Sequence, residues 1–276
     1  MTVQYGMVID LHQCVGCGAC ALACKNENNS QARSHGQSFN WADFIMETTG
    51  VFPDTTYTQT PVLCNHCDVT PCIDECPTEP KAMFKTEEGI VLFNQERCIG
   101  CGACLGPYST QKLDEKSYDG ATYSVISFNP FDKQVHPEWA DKSSAIDGCT
   151  ASGAEVAMAA GTNPPGVNMF ASGDYPPVRN AGIIEKCTFC YHRVSNGLQP
   201  ACVDACPSDA RIFGDKNDPS SAIAKALAAH KSTRLQEDKG TEPNPQLPRS
   251  YRLGGRHNKI WGWGRRPHPQ SLWGYL

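Results

Sequence analysis

Four cysteines lie at spacings of two, two and three residues in the stretch Cys14-Val15-Gly16-Cys17-Gly18-Ala19-Cys20-Ala21-Leu22-Ala23-Cys24. The chain of 276 residues holds 16 cysteines, and three further runs repeat this clustering. The other runs are Cys64, Cys67, Cys72 and Cys76; Cys98, Cys101 and Cys104; and Cys187, Cys190, Cys202 and Cys206. Cys149 stands alone. Four such runs in one chain decide how the sequence must be interpreted.

The spacing indicates ligation of iron–sulfur clusters. The bacterial ferredoxin run is C-x2-C-x2-C-x3-C-P, and its last cysteine ligates the other cluster of a pair. Cys76 and Cys206 are each followed by proline, as in that run. Three cysteines on one loop can bind three iron corners, and the fourth, one helical turn further on, points the other way. Two runs can therefore exchange their last ligands and hold two clusters close together.

Disulfides and zinc are the competing uses of these cysteines. Disulfide scaffolds are typically short secreted chains, whereas this chain is long. Zinc sites with four cysteines usually combine two C-x2-C pairs separated by a spacer, whereas the first run is continuous. The recurrence of the run favours iron–sulfur clusters over both alternatives.

Composition excludes several classes of function. Charged residues make up 19% of the chain and the formal net charge is −5, so we expect no nucleic-acid binding. No run of 18 apolar residues is present, so no transmembrane helix is expected. The N-terminus lacks the basic and apolar regions of a secretory signal. We therefore expect a periplasmic protein exported with a signal-bearing partner, or a cytoplasmic one.

Short apolar strands precede two of the runs at a fixed offset. Asp10 ends the apolar segment 7–10 four positions before Cys14, and Asn94 ends the segment 90–94 four positions before Cys98. Residues 210–214 form another strand candidate after the fourth run. This pattern predicts an α+β fold in which strand, cluster loop, short helix and strand alternate. The segments 25–62 and 105–182 interrupt it, and we interpret them as insertions that cover the cluster core.

The C-terminal segment has an unusual composition. From residue 243 to residue 276 it contains six basic and no acidic residues, and it carries three Trp and two Tyr spaced by Gly and Pro. Such a segment cannot build its own core. It could fold back on the acidic body or contact a partner subunit, since Trp, Tyr and Arg are favoured interface anchors. Both alternatives are open at this stage.

Four stretches carry a resemblance to a known family: Gly6–Cys20, Leu63–Asp68, Glu185–Arg193 and Pro200–Ser208. The sequence resembles the four-cluster electron-transfer subunit of molybdenum or tungsten bis-pterin oxidoreductases, the dimethyl sulfoxide reductase superfamily. Within that superfamily it is most similar to the small subunit of respiratory arsenate reductases. The match covers residues 5–235 and leaves out the tail.

The resemblance implies a modular organisation. Two ferredoxin-like two-cluster modules with long loop insertions would consist of residues 1–62 with 183–235 and of residues 63–182. An extended tail over residues 236–276 would dock on a partner.

The resemblance also implies which cysteines bind each of four [4Fe-4S] clusters. Cluster 1 would take Cys14, Cys17, Cys20 and Cys206. Cluster 2 would take Cys24, Cys187, Cys190 and Cys202. Cluster 3 would take Cys76, Cys98, Cys101 and Cys104. Cluster 4 would take Cys64, Cys67 and Cys72 and lacks one ligand, because the family's third run has a fourth cysteine where this chain has none.

Three alternatives exist for the incomplete cluster. Cys149 could supply the fourth thiolate, and we favour it because it is the one cysteine without another role. A non-cysteine ligand such as Asp114 or Asp119 could replace it, or the site could hold a [3Fe-4S] cluster. If Cys149 is not a ligand, it is a small buried hydrophobic residue.

The resemblance implies a relay of electrons to or from a large catalytic subunit with a bis-pterin metal centre, and this chain would not be catalytic alone. A membrane anchor or a cytochrome could be the other electron partner. The alternatives are a free-standing polyferredoxin that shuttles electrons between soluble enzymes and an iron–sulfur regulatory module. Lys25 and Lys186 adjoin cluster cysteines and either tune cluster potentials or are ordinary surface lysines.

Overall fold

The computed structural model describes residues 2–30, 37–38, 40–105, 120, 122–131, 151–161, 179–229, 232–235, 240–243 and 246–248. Within these ranges short helices alternate with strands that pair mostly in antiparallel fashion, which confirms the predicted α+β class. No helix in these ranges is long and apolar enough to cross a membrane.

The strands are short except for one hairpin. They are β1 Tyr5–Ile9, β2 Gln37–Ser38, β3 Ala42–Val51, β4 Asp54–Leu63, β5 Met83–Lys85, β6 Val91–Phe93, β7 Thr122–Tyr123, β8 Ile126–Phe128, β9 Ile184–Lys186, β10 Arg211–Asp215, β11 Ser232–Arg234 and β12 Gln246–Pro248. The helices are α1 Ala19–Glu27, α2 Pro71–Asp74, α3 Gly153–Ala159, α4 Tyr191–Val194, α5 Ala201–Asp204 and α6 Ala222–Ala229, with a 3-10 turn at Ala103–Leu105.

The antiparallel ladders connect the cysteine runs to one another. In three of these ladders, a strand that follows one run pairs with a strand that precedes the next run: β3 with β4, β5 with β6, and β8 with β9. The pairing of β10 with β1 joins the end of the fourth run to the start of the first. Each cysteine loop is therefore held at both ends by a ladder, as the predicted alternation requires.

The fixed offset before Cys14 and Cys98 has a structural cause. The Asp10 carbonyl accepts a hydrogen bond from the backbone N–H of Cys14 at 3.0 Å, and the Asn94 carbonyl accepts one from Cys98 at 3.2 Å. In both cases the side-chain oxygen also accepts from the N–H two residues on, at 2.8 and 3.0 Å. The same Asx turn thus starts both cysteine loops.

The segment 25–62 contains more regular structure than the sequence predicts. It holds β3 and most of β4, which pair from Ala42 with Leu63 to Val51 with Asp54. The half of this hairpin near the body is buried, whereas its far half is exposed and ends at Val51 and Phe52, which are 82% and 86% exposed. The hairpin in this segment therefore covers the core only with its buried end, near Ala42 and Leu63.

Part of the predicted tail lies against the body. Strand β12 pairs in parallel with β1 and antiparallel with β11. The carbonyls of Thr241 and Glu242 accept hydrogen bonds from Val69 and Asp68 in the second cysteine loop, at 3.2 and 3.0 Å. The other residues of the predicted tail, 236–239, 244–245 and 249–276, lie outside the described residues.

A buried charged network fixes the approach to β9. Arg179 and Glu185 form an ion pair of 3.3 Å in which both side chains are fully buried. The Trp41 indole donates to the same Glu185 carboxylate at 3.1 Å, and the Arg179 guanidinium lies 5.3 Å from the Trp41 ring centroid. Arg179 also donates to the Asn28 carbonyl at 2.6 Å, which links this network to the end of α1.

We expect Arg179→Met to destabilise the fold by about 3–5 kcal/mol, because it leaves the Glu185 carboxylate buried without its counter-charge. Arg97→Met is the matched control. The exposed Arg97 guanidinium lies over the Phe84 ring, 5.8 Å from its centroid, and its loss should cost less than about 1 kcal/mol. Urea unfolding of both variants measures the difference. Equal losses of stability would contradict this role of the network.

Candidate metal centres

Site 1 is a cavity lined by all four cysteines predicted for cluster 1. Cys14, Cys17 and Cys20 come from the first loop and Cys206 from the fourth. The loop depends on glycine, because Gly16 has a φ of +65° and a Cβ there would lie 1.5 Å from the Gln59 side chain. Close packing of the β4 strand on this loop thus positions the first three sulfurs.

Site 2 contains the predicted cysteines Cys24, Cys187, Cys190 and Cys202, all of which are buried. Burial raises the pKa of Cys24 far above its ordinary value, and the charges of the other three add to the increase. The Asn28 amide lies 3.5 Å from the Cys24 sulfur and 3.7 Å from the Cys190 sulfur. The four sulfurs therefore form one electrostatically coupled group.

Site 3 is a second cavity, lined by Cys76, Cys98, Cys101 and Cys104, as predicted for cluster 3. Burial raises the pKa of Cys104 to about 12, and the charge of Cys72 makes the next largest contribution. Gly100 has a φ of +67°, and a Cβ there would lie 2.1 Å from the Gly182 carbonyl oxygen. The third loop thus uses glycine as the first loop does.

The two cysteines that precede proline have a distinct environment. Burial alone would raise the pKa of Cys76, but hydrogen bonds from the Thr78 hydroxyl and from backbone N–H groups hold it below its ordinary value. For Cys206 the pKa is likewise lowered, because hydrogen bonds from the N–H groups of Ser208 and Arg211 outweigh burial. The lower pKa makes it easier for both cysteines to form the thiolate, the form that binds metal.

Site 4 is a third cavity, lined by Cys64, Cys67 and Cys72. Burial, followed by the charge of Cys64, raises the pKa of Cys67 to about 11 and that of Cys72 to about 12. Among the described residues no other cysteine lines this cavity. The candidate ligands Cys149, Asp114 and Asp119 lie outside the described residues.

The donor sets fit iron–sulfur clusters. In the described ranges no three His, Cys, Asp or Glu side chains are arranged around a single metal ion. The sulfurs of sites 1, 3 and 4 instead surround cavities, and the donors are cysteines throughout. Gathering buried thiolates is costly without positive charge, and cluster iron would supply that charge.

The four sites follow one another through pairs of neighbouring cysteines. The charge of Cys20 in site 1 raises the pKa of Cys202 in site 2, after the larger effect of burial. Cys64 in site 4 acts in the same way on the pKa of Cys187 in site 2. The charge of Cys72 in site 4 likewise raises the pKa of Cys104 in site 3, so these two sites are also neighbours. The sites therefore follow one another in space in the order 1, 2, 4, 3.

The two terminal sites of this succession reach the surface. Cys17 in site 1 and Cys101 in site 3 are exposed. Apolar residues accompany them, with Val15 51% exposed beside Cys17 and Ile99 62% exposed beside Cys101. In the described part of the protein, the succession thus has accessible edges at its two ends.

Arg211 is a site residue that sequence analysis missed. It lines site 1, and its Nη1 lies 3.9 Å from the sulfur of Cys202 in site 2. Burial would lower its pKa, but the charges of Cys202 and Cys20 outweigh that effect and raise it. The signal in the sequence was an arginine at the start of an otherwise apolar strand.

The two predicted tuning lysines have different environments. Lys186 is buried, lines site 4 and donates to the carbonyls of Val91 and Cys187. It is therefore not an ordinary surface lysine. Lys25 is half-buried, donates to the Asn40 side chain at 2.8 Å, and does not line any of the three described cavities.

Comparison with known proteins supports the interpretation of these cysteine sites as iron–sulfur sites. The family described as a 4Fe-4S dicluster domain matches residues 55–123 and 176–216. The arsenate respiratory reductase iron-sulfur subunit ArrB of Shewanella sp. strain ANA-3 is 42% identical over 250 residues, which cover 90% of this chain and 97% of that protein. A selenate reductase subunit of Mesobacillus selenatarsenatis is 33% identical, over 88% of this chain and 70% of its own length. A polysulfide reductase chain of Wolinella succinogenes is 29% identical, over 88% of this chain and 93% of its own length.

Proposed function

Because this protein belongs to the family of iron–sulfur electron-transfer subunits of the dimethyl sulfoxide reductase superfamily, we propose that it relays electrons through four [4Fe-4S] clusters. The electrons pass to or from a large catalytic subunit with a molybdenum or tungsten bis-pterin centre. The observation that carries this proposal is the succession of four cysteine sites with exposed ends. The protein alone is not catalytic, and a free-standing polyferredoxin does not fit relatives that are named as subunits of reductases.

When bound, the clusters accept and release single electrons. The protein determines where this happens, because it encloses site 2 entirely and leaves Cys17 and Cys101 accessible. The exposed Cys17 and Cys101 would give redox partners access to clusters at sites 1 and 3, and the cysteines of sites 2 and 4 would hold the clusters that connect them. The buried cation Arg211 lies beside site 2, and the buried cation Lys186 lies beside site 4. Their positive charges would favour the reduced, more negative state of a cluster bound at these sites.

The proposed modules follow from this order. Residues 1–62 with 183–235 supply sites 1 and 2, and residues 63–182 supply sites 3 and 4. The tail from residue 236 starts on the body and then extends to the catalytic partner. A membrane anchor or a cytochrome serves the other end of the relay, in a complex that is either periplasmic or cytoplasmic.

The function is tested by isolating the protein from its native source with its partners. We expect a large bis-pterin subunit to copurify, with about 16 irons per chain, and we expect the partner's substrate to change the oxidation state of every cluster. Removal of residues 249–276 should abolish copurification. A protein that is isolated alone and exchanges electrons with soluble enzymes would contradict the proposal.

We expect Lys186→Met to lower the potential of the site 4 cluster, because the substitution removes a buried positive charge from the cavity wall. A tenfold loss in the equilibrium for reduction corresponds to about 59 mV for one electron. Lys25→Met is the matched control and should leave this potential unchanged. Redox titration monitored by electron paramagnetic resonance compares the two, and equal shifts would argue against tuning by Lys186.

We propose that Cys149 is the fourth ligand of cluster 4. Clusters of this type are bound mainly by thiolates, and no other cysteine lacks an assigned site. In the Cys149→Ser complex we expect the oxidised protein to show a three-iron signal and about 15 irons per chain. Asp114→Asn and Asp119→Asn are the controls and should keep all four cubanes. A three-iron signal in the intact native complex would disprove this assignment.

A further inference from the structure

His66 is a fully buried side chain in the wall of site 4. It lies in the second cysteine loop, between Cys64 and Cys67, and lines the cavity with them. Its ring stacks on Phe189, with 3.8 Å between the ring centroids and 29° between the planes. The imidazole therefore has a fixed position, with one face covered by an apolar neighbour.

One ring nitrogen of His66 is already engaged as an acceptor. The backbone N–H of Val91, at the start of β6, donates to Nδ1 at 2.9 Å. A ring nitrogen that accepts a hydrogen bond carries no proton, so the Val91 N–H identifies Nδ1 as the unprotonated nitrogen of a neutral ring. A neutral imidazole whose Nδ1 accepts a hydrogen bond carries its proton on Nε2.

The Nε2–H group is a buried donor that lacks a protein acceptor among the described residues. Buried donors are nearly always hydrogen-bonded, because an unpaired one loses its interaction with water and gains nothing in return. One face of the ring is against Phe189 and Nδ1 faces Val91, so Nε2 is the nitrogen left for the cavity of site 4. The side-chain oxygens of Asn65, Thr70 and Thr241 also line this cavity, but none of them is hydrogen-bonded to Nε2. The sulfur of a cluster bound by Cys64, Cys67 and Cys72 would be the acceptor.

We propose that His66 is a hydrogen-bond donor to the sulfur of cluster 4 and is not the missing iron ligand. The inference rests on the proposed function, because it requires a cluster at site 4. Iron coordination would need a free lone pair on Nε2 and a proton on Nδ1, and the Val91 N–H excludes that tautomer. The donated hydrogen bond stabilises the more negative, reduced cluster and so raises its potential.

A pair of substitutions separates the two nitrogens of His66. The Asn side chain in His66→Asn offers an oxygen to the Val91 N–H but does not reach the position of Nε2. The Gln side chain in His66→Gln reaches that position with an N–H donor. In the complex with its partners we expect His66→Asn to weaken reduction of cluster 4 about tenfold, or about 59 mV, and to leave the other three unchanged. His66→Gln should retain most of the native potential, and an unchanged potential in His66→Asn would overturn the proposal.

A second measurement needs no substitution at His66. The native complex, labelled with 15N-histidine, is studied by pulsed electron paramagnetic resonance, and the signal of cluster 4 is assigned by its loss in Cys67→Ser. We expect a weak nitrogen coupling and a proton coupling that exchanges in D2O. A strong coupling from iron-bound nitrogen, or no exchangeable histidine proton, would overturn this inference alone. If the native complex gives no cluster signal assignable to site 4, the proposed function fails there as well.

Discussion

The structure depends on one electrostatic constraint, the cost of burying cysteine sulfurs in groups. Burial raises the pKa of Cys24, Cys187 and Cys190, and each thiolate makes ionisation of its neighbours harder. Bound iron supplies the positive charge that makes such a group stable. The fold positions this unfavourable set of ligands, and the clusters would offset its cost.

The backbone supports this arrangement with a small number of repeated devices. Ladders between successive runs hold each cysteine loop at both ends, and the Asx turns at Asp10 and Asn94 start two of the loops. Glycines at positions 16 and 100 allow close packing beside the two exposed sites. Because these devices recur, the sites follow one another as a series of neighbours and not as separate binding sites.

Much of this was predictable from the sequence, since cysteine spacing and the strand offset are local patterns. The structure brings Cys206 to Cys14 and Cys24 to Cys187, as the resemblance implied. The β3–β4 hairpin was missed because its far half is exposed on both faces, so no apolar alternation marks it.

Arg211 and His66 were missed because their roles arise from contacts between distant segments, such as His66 with Val91. The ligand sets of all four sites and the module boundaries are still predictions.

The central claim is the order of the relay, with site 4 between sites 2 and 3. The most direct measurement is the magnetic coupling between reduced clusters in the intact complex, followed by electron paramagnetic resonance during stepwise reduction. We expect cluster 4 to couple to both cluster 2 and cluster 3, and we expect no direct coupling between clusters 1 and 3. Direct coupling between clusters 1 and 3, or a cluster 4 that couples to neither neighbour, would contradict it.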